Sequence, residues 1–409
     1  MKTISSALQA ILDSRNFFME DVYTITLVDG TVVRLTSGQQ PILMASSTFS
    51  EAEVTDDEQG RTITIDHTKI SEDLTDFPVP VLINDADDPI FTNAGAEGYD
   101  IWFTDLDGNV LDYERAIWDP ENHLALFYVK VPSVSSAEDT LFHMYYGDTV
   151  ARTEDESNPA GVWDSNYAAV YHLVTDPSVN NYPPEAPTAV RLLDSTANNR
   201  DLGVSGSMLS SQLEASVLGR GWRFDGVNDE LGRNDALALG AVSELTIEFF
   251  FKSDSASTHQ KLLYLASVDS GLWMHGTINA DSTNNRVQFA AADTDGNKIW
   301  TVDGSDVTSD MHLAFTIVAG TSGEASGALN GYVNGALVGS AVALKALAHN
   351  YITYLMLCSN SGSGQFFDGL MSEVRFSTSA RSAAWLAATY HGLMGTLLTI
   401  GDEETGEAE

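Results

Sequence analysis

The side chains that could do chemistry in this sequence are scattered rather than grouped. Near the end of the chain, FFDGLMSEVRFS sets Asp368 ahead of Glu373, the kind of pairing a glycosidase would need. Such an enzyme holds a nucleophile and an acid about 5 Å apart, which on a strand means acids on the same face. No E-x-D-x-x-E arrangement occurs in any strand-like run, and Glu248, the acid inside LTIEFFF, has no partner nearby in sequence. Glu248 therefore reads as structural. The nine histidines stand singly and none opens an H-E-x-x-H zinc motif; G-x-x-x-x-G-K and G-x-S-x-G are missing as well. The sequence carries no enzyme signature, and no cofactor is expected.

Two loops, DLDGN at 105–109 and DTDGN at 293–297, offer aspartates and an asparagine around a glycine, the oxygen ligands that calcium prefers. Both lack the ligand ladder and distal glutamate of an EF-hand, and both lie between strands, where Asp-Gly turns are expected. Hairpin turns outweigh metal at each. Sugar stacking is the remaining option, since a flat indole can cover the apolar face of a pyranose. In GLWMHGTI, Trp273 and His275 share one strand face and alternate with Leu272 and Met274; Trp300, in KIWTVDG, is a second candidate. Core packing is the competing role for each.

These positions sit in a chain of 409 residues, long enough for two or three domains, with 43% apolar and 19% charged residues. That composition is globular. The 58 acidic residues against 20 basic ones give a formal net charge of -38, which repels phosphate backbones and argues against nucleic acid as a partner. The bland account of such a surface is solubility in a salty medium; divalent-cation binding is the functional one. Cys358, the single cysteine, lies in YITYLMLCS and reads as a small core residue. MKTISSALQAILDSRNFF is interrupted by Asp13 and Arg15 before any long apolar stretch, so neither a secretory signal nor membrane insertion is expected.

The elements that must position these residues are almost all strands. VYTITLVDGTVVRLTSG reads as a hairpin turning at Asp29-Gly30 behind a short helix, and RTITIDH adds another strand. Residues 1–72 are assigned to a small N-terminal β module. From Phe77, short strands recur at the spacing of an antiparallel sandwich: FPVPVLIN, YDIWFTD, VLDYERAIW, HLALFYVKVP and DTLFHMYYGD. This middle domain is placed at 73–160. Residues 161–400 hold ten or more strands and a single convincing helix, SAAWLAATYHGLM, which suggests a two-sheet jelly roll. The closing GDEETGEAE, 401–409, is small and acidic and reads as a disordered tail. The fold class is all-β.

Several phrases carry a family likeness. GWRFDGVNDEL, LTIEFFFKS, MHLAFTI, LNGYVNGALVGS and FFDGLMSEVRFSTSARSAAWL resemble, in order and spacing, the laminin-G-like, concanavalin A-like sandwich family. FPVPVLI, YDIWFTDLDG, LDYERAIW, FYVKVP, FHMYYGD and VWDSNYAAVYHLV resemble a domain of unknown function common in bacterial surface proteins. ALQAILDS followed by YTITLVDGTVVRLTSG is similar to the opening of bacteriophage and gene-transfer-agent tail proteins. The first resemblance implies that the FDG turn and EVRFS strand close the sandwich, that the helix packs across its end, and that Glu373 lies at the surface or pairs there with Arg375 or Arg381. It makes scaffold, not catalysis, the role of Asp368 and Glu373. It gives His172 and His312 packing roles and leaves room for a rim calcium at Asp225 and Asp229.

Together the resemblances imply a non-enzymatic virion structural protein, at a tail tip, fibre or capsid surface, that displays adhesion domains to a host-surface glycan. Residues 1–72 would dock to other virion proteins and a homo-oligomer would form, assembled in the host cytoplasm and released by lysis. A bacterial cell-surface adhesin is the alternative, and a glycoside hydrolase the third reading.

Overall fold

The computed structural model describes residues 23–26, 32–35, 59–147, 152, 154–179, 191–234, 243–266, 273–279, 283–321, 323–347, 354–360 and 364–405. The chain divides into a unit at Met1–Thr55 and a larger one at Asp56–Glu409. In the first, strand Tyr23–Thr26 pairs antiparallel with Val32–Leu35, which is the expected hairpin. The leading helix and the Asp29-Gly30 turn lie outside the described residues.

The larger unit holds two sandwiches. In the C-terminal one, an eight-stranded sheet runs in the spatial order Arg191–Leu192, Leu202–Ser205, Glu230–Asn234, Tyr354–Leu357, Gln260–Ala266, Trp273–Ile278, Val287–Asp293 and Gly296–Val302. A second sheet faces it, built around Asp368–Ser377, Glu244–Ser253 and Met311–Val318, with Tyr167–His172 paired to Asp368–Ser377. Alternation drives this packing. Met274, Ile278, Leu263 and Leu265 of one sheet meet Ile247, Phe249, Leu313 and Phe315 of the other in one continuous core, because period-2 side chains present a single apolar face per strand. Cys358 is fully buried there, as expected. This is the concanavalin A-like jelly roll anticipated from the sequence.

The middle sandwich is larger than its sequence boundaries. Leu74–Ile83, Leu124–Val134 and Tyr113–Asp119 form one sheet; the other contains Gln59–Ile65, Thr140–Tyr146 and Trp102–Thr104. Thus RTITIDH, assigned above to the N-terminal module, is a strand of the middle sandwich. Ile63 and Ile65 are fully buried in its core. The end of the chain also returns to it: Leu398–Ile400 and Glu404–Thr405 both pair with Gln59–Ile65. Residues 401–405 are therefore not a free tail, and Glu403 accepts hydrogen bonds from the Tyr146 hydroxyl (3.0 Å) and the Asn93 amide (2.9 Å).

Helix Ala383–Leu393 is capped by Ser382, whose hydroxyl accepts from the Trp385 N–H. Its main apolar partner is the middle sandwich: Trp385 meets Phe77 edge-on at 5.0 Å, and Gly392 leaves no room for a Cβ beside Pro80. It joins the two sandwiches rather than only closing the end of the jelly roll.

Candidate ligand-binding face

Because Met274 and Ile278 point into the jelly-roll core, the alternate positions His275 and Thr277 belong to the outer face of the eight-stranded sheet. Cross-strand register extends that face. His275 lies opposite Tyr264 on one side and Ala290 on the other, and Tyr264 lies opposite Met356. Tyr264, His275 and Tyr354 are all partly exposed, and the two tyrosine rings meet edge-on at 6.4 Å. Half-buried aromatic rings on an open sheet offer apolar area with polar tips, which is what a ring-shaped polar ligand needs.

Lys261 belongs to the same face. A bulge at Leu262 lets both Leu262 and Leu263 enter the core, and it places Lys261 directly opposite Thr277. Lys261 is only 6% exposed, and its Nζ donates to Thr277 Oγ1 at 3.2 Å. Burial, with no opposing carboxylate among the described residues, pushes the ammonium down to about 8. No motif marks this lysine; its signal is a cationic residue opening the apolar run KLLYLAS.

The candidates read from the sequence divide. His275 lies on this face, and Trp273 sits in the same strand opposite Ala266. Trp300 lies in the jelly-roll core. It is 1% exposed, packs against Phe315 at 5.5 Å and flat against Gly331, and donates through Nε1 to the Val338 carbonyl at 3.2 Å. Core packing is its role. Asp225 accepts from the Val227 and Asn228 amides, closing its own turn. Asp229 is 1% exposed, accepts from Gln212 Nε2 and the Asp225 amide, and is pushed up by burial. These carboxylates are occupied by local hydrogen bonds, and they are not among the described groups whose ligand atoms converge as a metal would require. The one such group is Asp66, His67 and Asp139, where His67 Nδ1 already lies 2.6 Å from Asp139. DLDGN forms a turn in which Asp105 accepts from the Asp107 and Asn109 amides. DTDGN joins Val287–Asp293 to Gly296–Val302 as a hairpin.

A second polar cluster lies where the sandwiches meet. Glu373, expected at the surface, is 2% exposed. Its Oε2 lies 2.6 Å from His172 Nδ1 and accepts from the Tyr128 hydroxyl at 3.2 Å; its Oε1 accepts from Arg375 Nε at 2.8 Å. On the other side of the imidazole, Glu114 Oε2 lies 3.3 Å from His172 Nε2 and accepts from Trp163 Nε1 at 2.7 Å, while Ser195 donates to Oε1 at 2.6 Å. The expected pairing with Arg375 is present, but the surface location failed because an acid that alternates out of one core can be covered by a second domain. Burial alone would pull His172 down, but Glu373 and Glu114 outweigh it and push His172 up to about 10. Burial would raise Glu114; His172 and the hydrogen bonds hold it below its ordinary value. Glu248 also gains a partner the sequence did not reveal, His312 Nε2 at 3.1 Å. Asp368, at the far end of the same strand, is raised by burial and then by Asp254. It stands apart from this cluster.

Beside this junction a groove of about 580 Å³ is lined by Asn84, Asn122, His123, Leu124, Glu214 and Arg220, among others. Arg220 is already paired with Asp119. No described helix is long and apolar enough to cross a membrane.

Residues 225–387 match the concanavalin A-like lectin/glucanases superfamily, and residues 97–170 match a domain of unknown function, DUF2341. No curated protein gives a significant match. Among solved structures, the receptor-binding domain of botulinum neurotoxin C/D mosaic serotype aligns with TM-score 0.40 and 12% identity, over 56% of this chain and 51% of that one. The binding domain of botulinum neurotoxin DC, solved in complex with rat synaptotagmin II, gives 0.40 and 11%, over 56% and 52%. The binding domain of Paraclostridial Mosquitocidal Protein 1 gives 0.41 and 10%, over 55% and 52%. The chain thus spans about half the length of the structures it matches.

Proposed function

We propose that this protein is a non-enzymatic adhesion protein that takes a cell-surface glycan on the outer face of its eight-stranded sheet. The observation that carries this reading is the arrangement of Tyr264, His275 and Tyr354, partly exposed on one open face within the region matched to the lectin/glucanase superfamily. Stacking on rings with hydrogen bonds from their polar tips is how an open sheet retains a sugar without a deep cavity. Catalysis has no comparable support. The carboxylates that flank one base, Glu114 and Glu373 about His172, are buried where the sandwiches meet and are held by His172, Arg375, Tyr128, Trp163 and Ser195.

The setting we propose is the outside of a phage particle, with the unit Met1–Thr55 docking to other virion proteins and several copies assembling. Two experiments test these parts separately. On a glycan array the full chain is expected to bind a restricted set of glycans and to release no reducing ends from them during long incubation. Binding to none, or cleavage, overturns the adhesion reading. Quantitative mass spectrometry of purified particles from a lysed culture counts the chain against the major capsid protein. A handful of copies supports a tail tip or fibre, hundreds support a capsid surface, and absence overturns the virion setting. Recovery in the bacterial cell-surface fraction instead favours the adhesin alternative, to which the resemblance of residues 97–170 also inclines.

A further inference from the structure

Six basic residues are buried among the described residues: Arg61, His172, Lys261, His312, Arg375 and Arg381. Five of them face a carboxylate. Arg61 meets Asp88 at 2.7 Å, His172 meets Glu373 at 2.6 Å, His312 meets Glu248 at 3.1 Å, Arg375 meets Glu373 at 2.8 Å and Arg381 meets Asp164 at 2.9 Å. Lys261 alone has only a hydroxyl, Thr277 Oγ1. The contrast is sharper because the chain carries 58 acidic residues and only 20 basic ones, so a carboxylate is the easiest partner to supply. An isolated buried ammonium costs several kcal/mol unless something repays it.

From this we infer that Lys261 is the recognition cation of an anionic subsite on the outer face, which takes an oxyanion carried by the glycan, a uronic carboxylate or a sulfate ester. The inference rests on the adhesion reading for its ligand. The geometry suits the role. Lys261 and Tyr264 lie on one strand three residues apart, roughly 10 Å along a strand, so a short oligosaccharide stacked near Tyr264 and His275 extends over Lys261. An ammonium is a compact point charge with three donors. The Thr277 hydroxyl occupies one of them, which leaves two for the ligand's oxygens. Shielding within the sheet strengthens the contact with an incoming anion, because the opposing charge is met at low local dielectric. It also gives selectivity, since a neutral sugar leaves the cation without its partner.

The test uses the full chain labelled with ¹³C-lysine and follows the Cε resonance of Lys261, assigned by its loss in Lys261→Met. D-glucuronate, D-glucose 6-sulfate and D-glucose are the probes. Either anionic sugar is expected to raise the Lys261 titration midpoint by at least half a pH unit, and glucose to leave it in place. A shift with glucuronate alone assigns a carboxylate ligand, and one with the sulfate alone assigns a sulfate ester. In parallel, Lys261→Met is expected to lose about tenfold in preference for acidic over neutral glycans. A midpoint that ignores both anions overturns the inference, and does so whether or not the variant folds. Equal binding of neutral glycans by both proteins with no acidic preference overturns it too, and leaves the adhesion reading standing. A midpoint shift with no glycan bound on the array supports the anionic subsite and removes the adhesion reading.

Discussion

Two of the places where this molecule buries charge do so in opposite ways. At the junction of the sandwiches Glu114, Glu373, His172 and Arg375 are all less than 8% exposed. Their formal charges cancel, and the hydrogen bonds of Tyr128, Trp163 and Ser195 occupy carboxylate oxygens that remain. His172 also stacks on Tyr128 at 4.4 Å, and Arg375 lies over the Trp163 ring at 5.0 Å. On the outer face of the jelly roll, Lys261 is buried as deeply with one hydroxyl. A network whose formal charges are balanced fixes one arrangement of the chain, even though Arg375 Nη2 makes no hydrogen bond in it. An unpaired charge weakens the fold and is satisfied only from outside. Burial of a charge is therefore uninformative until its partners are counted.

The comparison can be broken most directly at the junction. Arg375→Met leaves Glu373 buried with one cationic partner fewer, and removing one member of a buried pair costs about 3–5 kcal/mol; calorimetric unfolding should show a correspondingly large fall in Tm. A loss below 1 kcal/mol would mean that solvent reaches the network. Lys261→Met should act with the opposite sign. It removes a charge whose pKa in the fold is near 8 against an ordinary 10.5, so stability at pH 7 should rise by about 1–3 kcal/mol. A destabilised variant would mean that the ammonium is paired after all.

The pH dependence sharpens the same contrast. His172 has its pKa raised to about 10 in the fold from 6.5, so its stabilisation is fully present below pH 6.5 and is lost as pH rises through about 10. Lys261 has its pKa lowered, so its penalty is fully present below about 8 and fades as pH rises towards 10.5. Between pH 8 and 10 the two slopes oppose each other. Denaturation midpoints of Lys261→Met should therefore fall more steeply across that window than those of the wild type, and parallel curves would contradict the assignment. Glu114, held low, contributes stability above its ordinary 4.5 that is lost as pH falls through its lowered value. The smallest effect concerns Trp300. A Cβ at Gly331 would lie 2.3 Å from the indole, so Gly331→Ala should cost roughly 1–3 kcal/mol by overpacking and should leave glycan binding unchanged.

Much of the architecture was legible because it is local. LTIEFFFKS, MHLAFTI and EVRFST each state by alternation which side chains enter a core, and all three are strands at those positions. The DTDGN turn was legible for the same reason, since its Gly296 adopts φ +116, which glycine tolerates and other residues do not. The outward placement of His275 was legible by alternation alone. Trp300 was ambiguous because strand pattern gives two faces without saying which is open. Glu373 was misplaced because its strand is covered on both sides, once by the opposite sheet and once by Tyr128 and Glu114 of the other sandwich. Lys261 was passed over because a lysine at a strand edge is ordinarily solvated.

By itself, then, the sequence determined the all-β class, the presence of two sandwiches and the alternation along their strands, because those depend on side-chain period and turn chemistry over a few residues. Only the tertiary structure decided that Gln59–Ile65 and Leu398–Ile400 lie side by side in the middle sandwich. It alone decided that Glu373 finds His172, and that Lys261 finds no carboxylate among the described residues. Those outcomes depend on which distant surfaces cover one another, and the energy of a buried charge is set by whatever group happens to stand within a few ångströms of it.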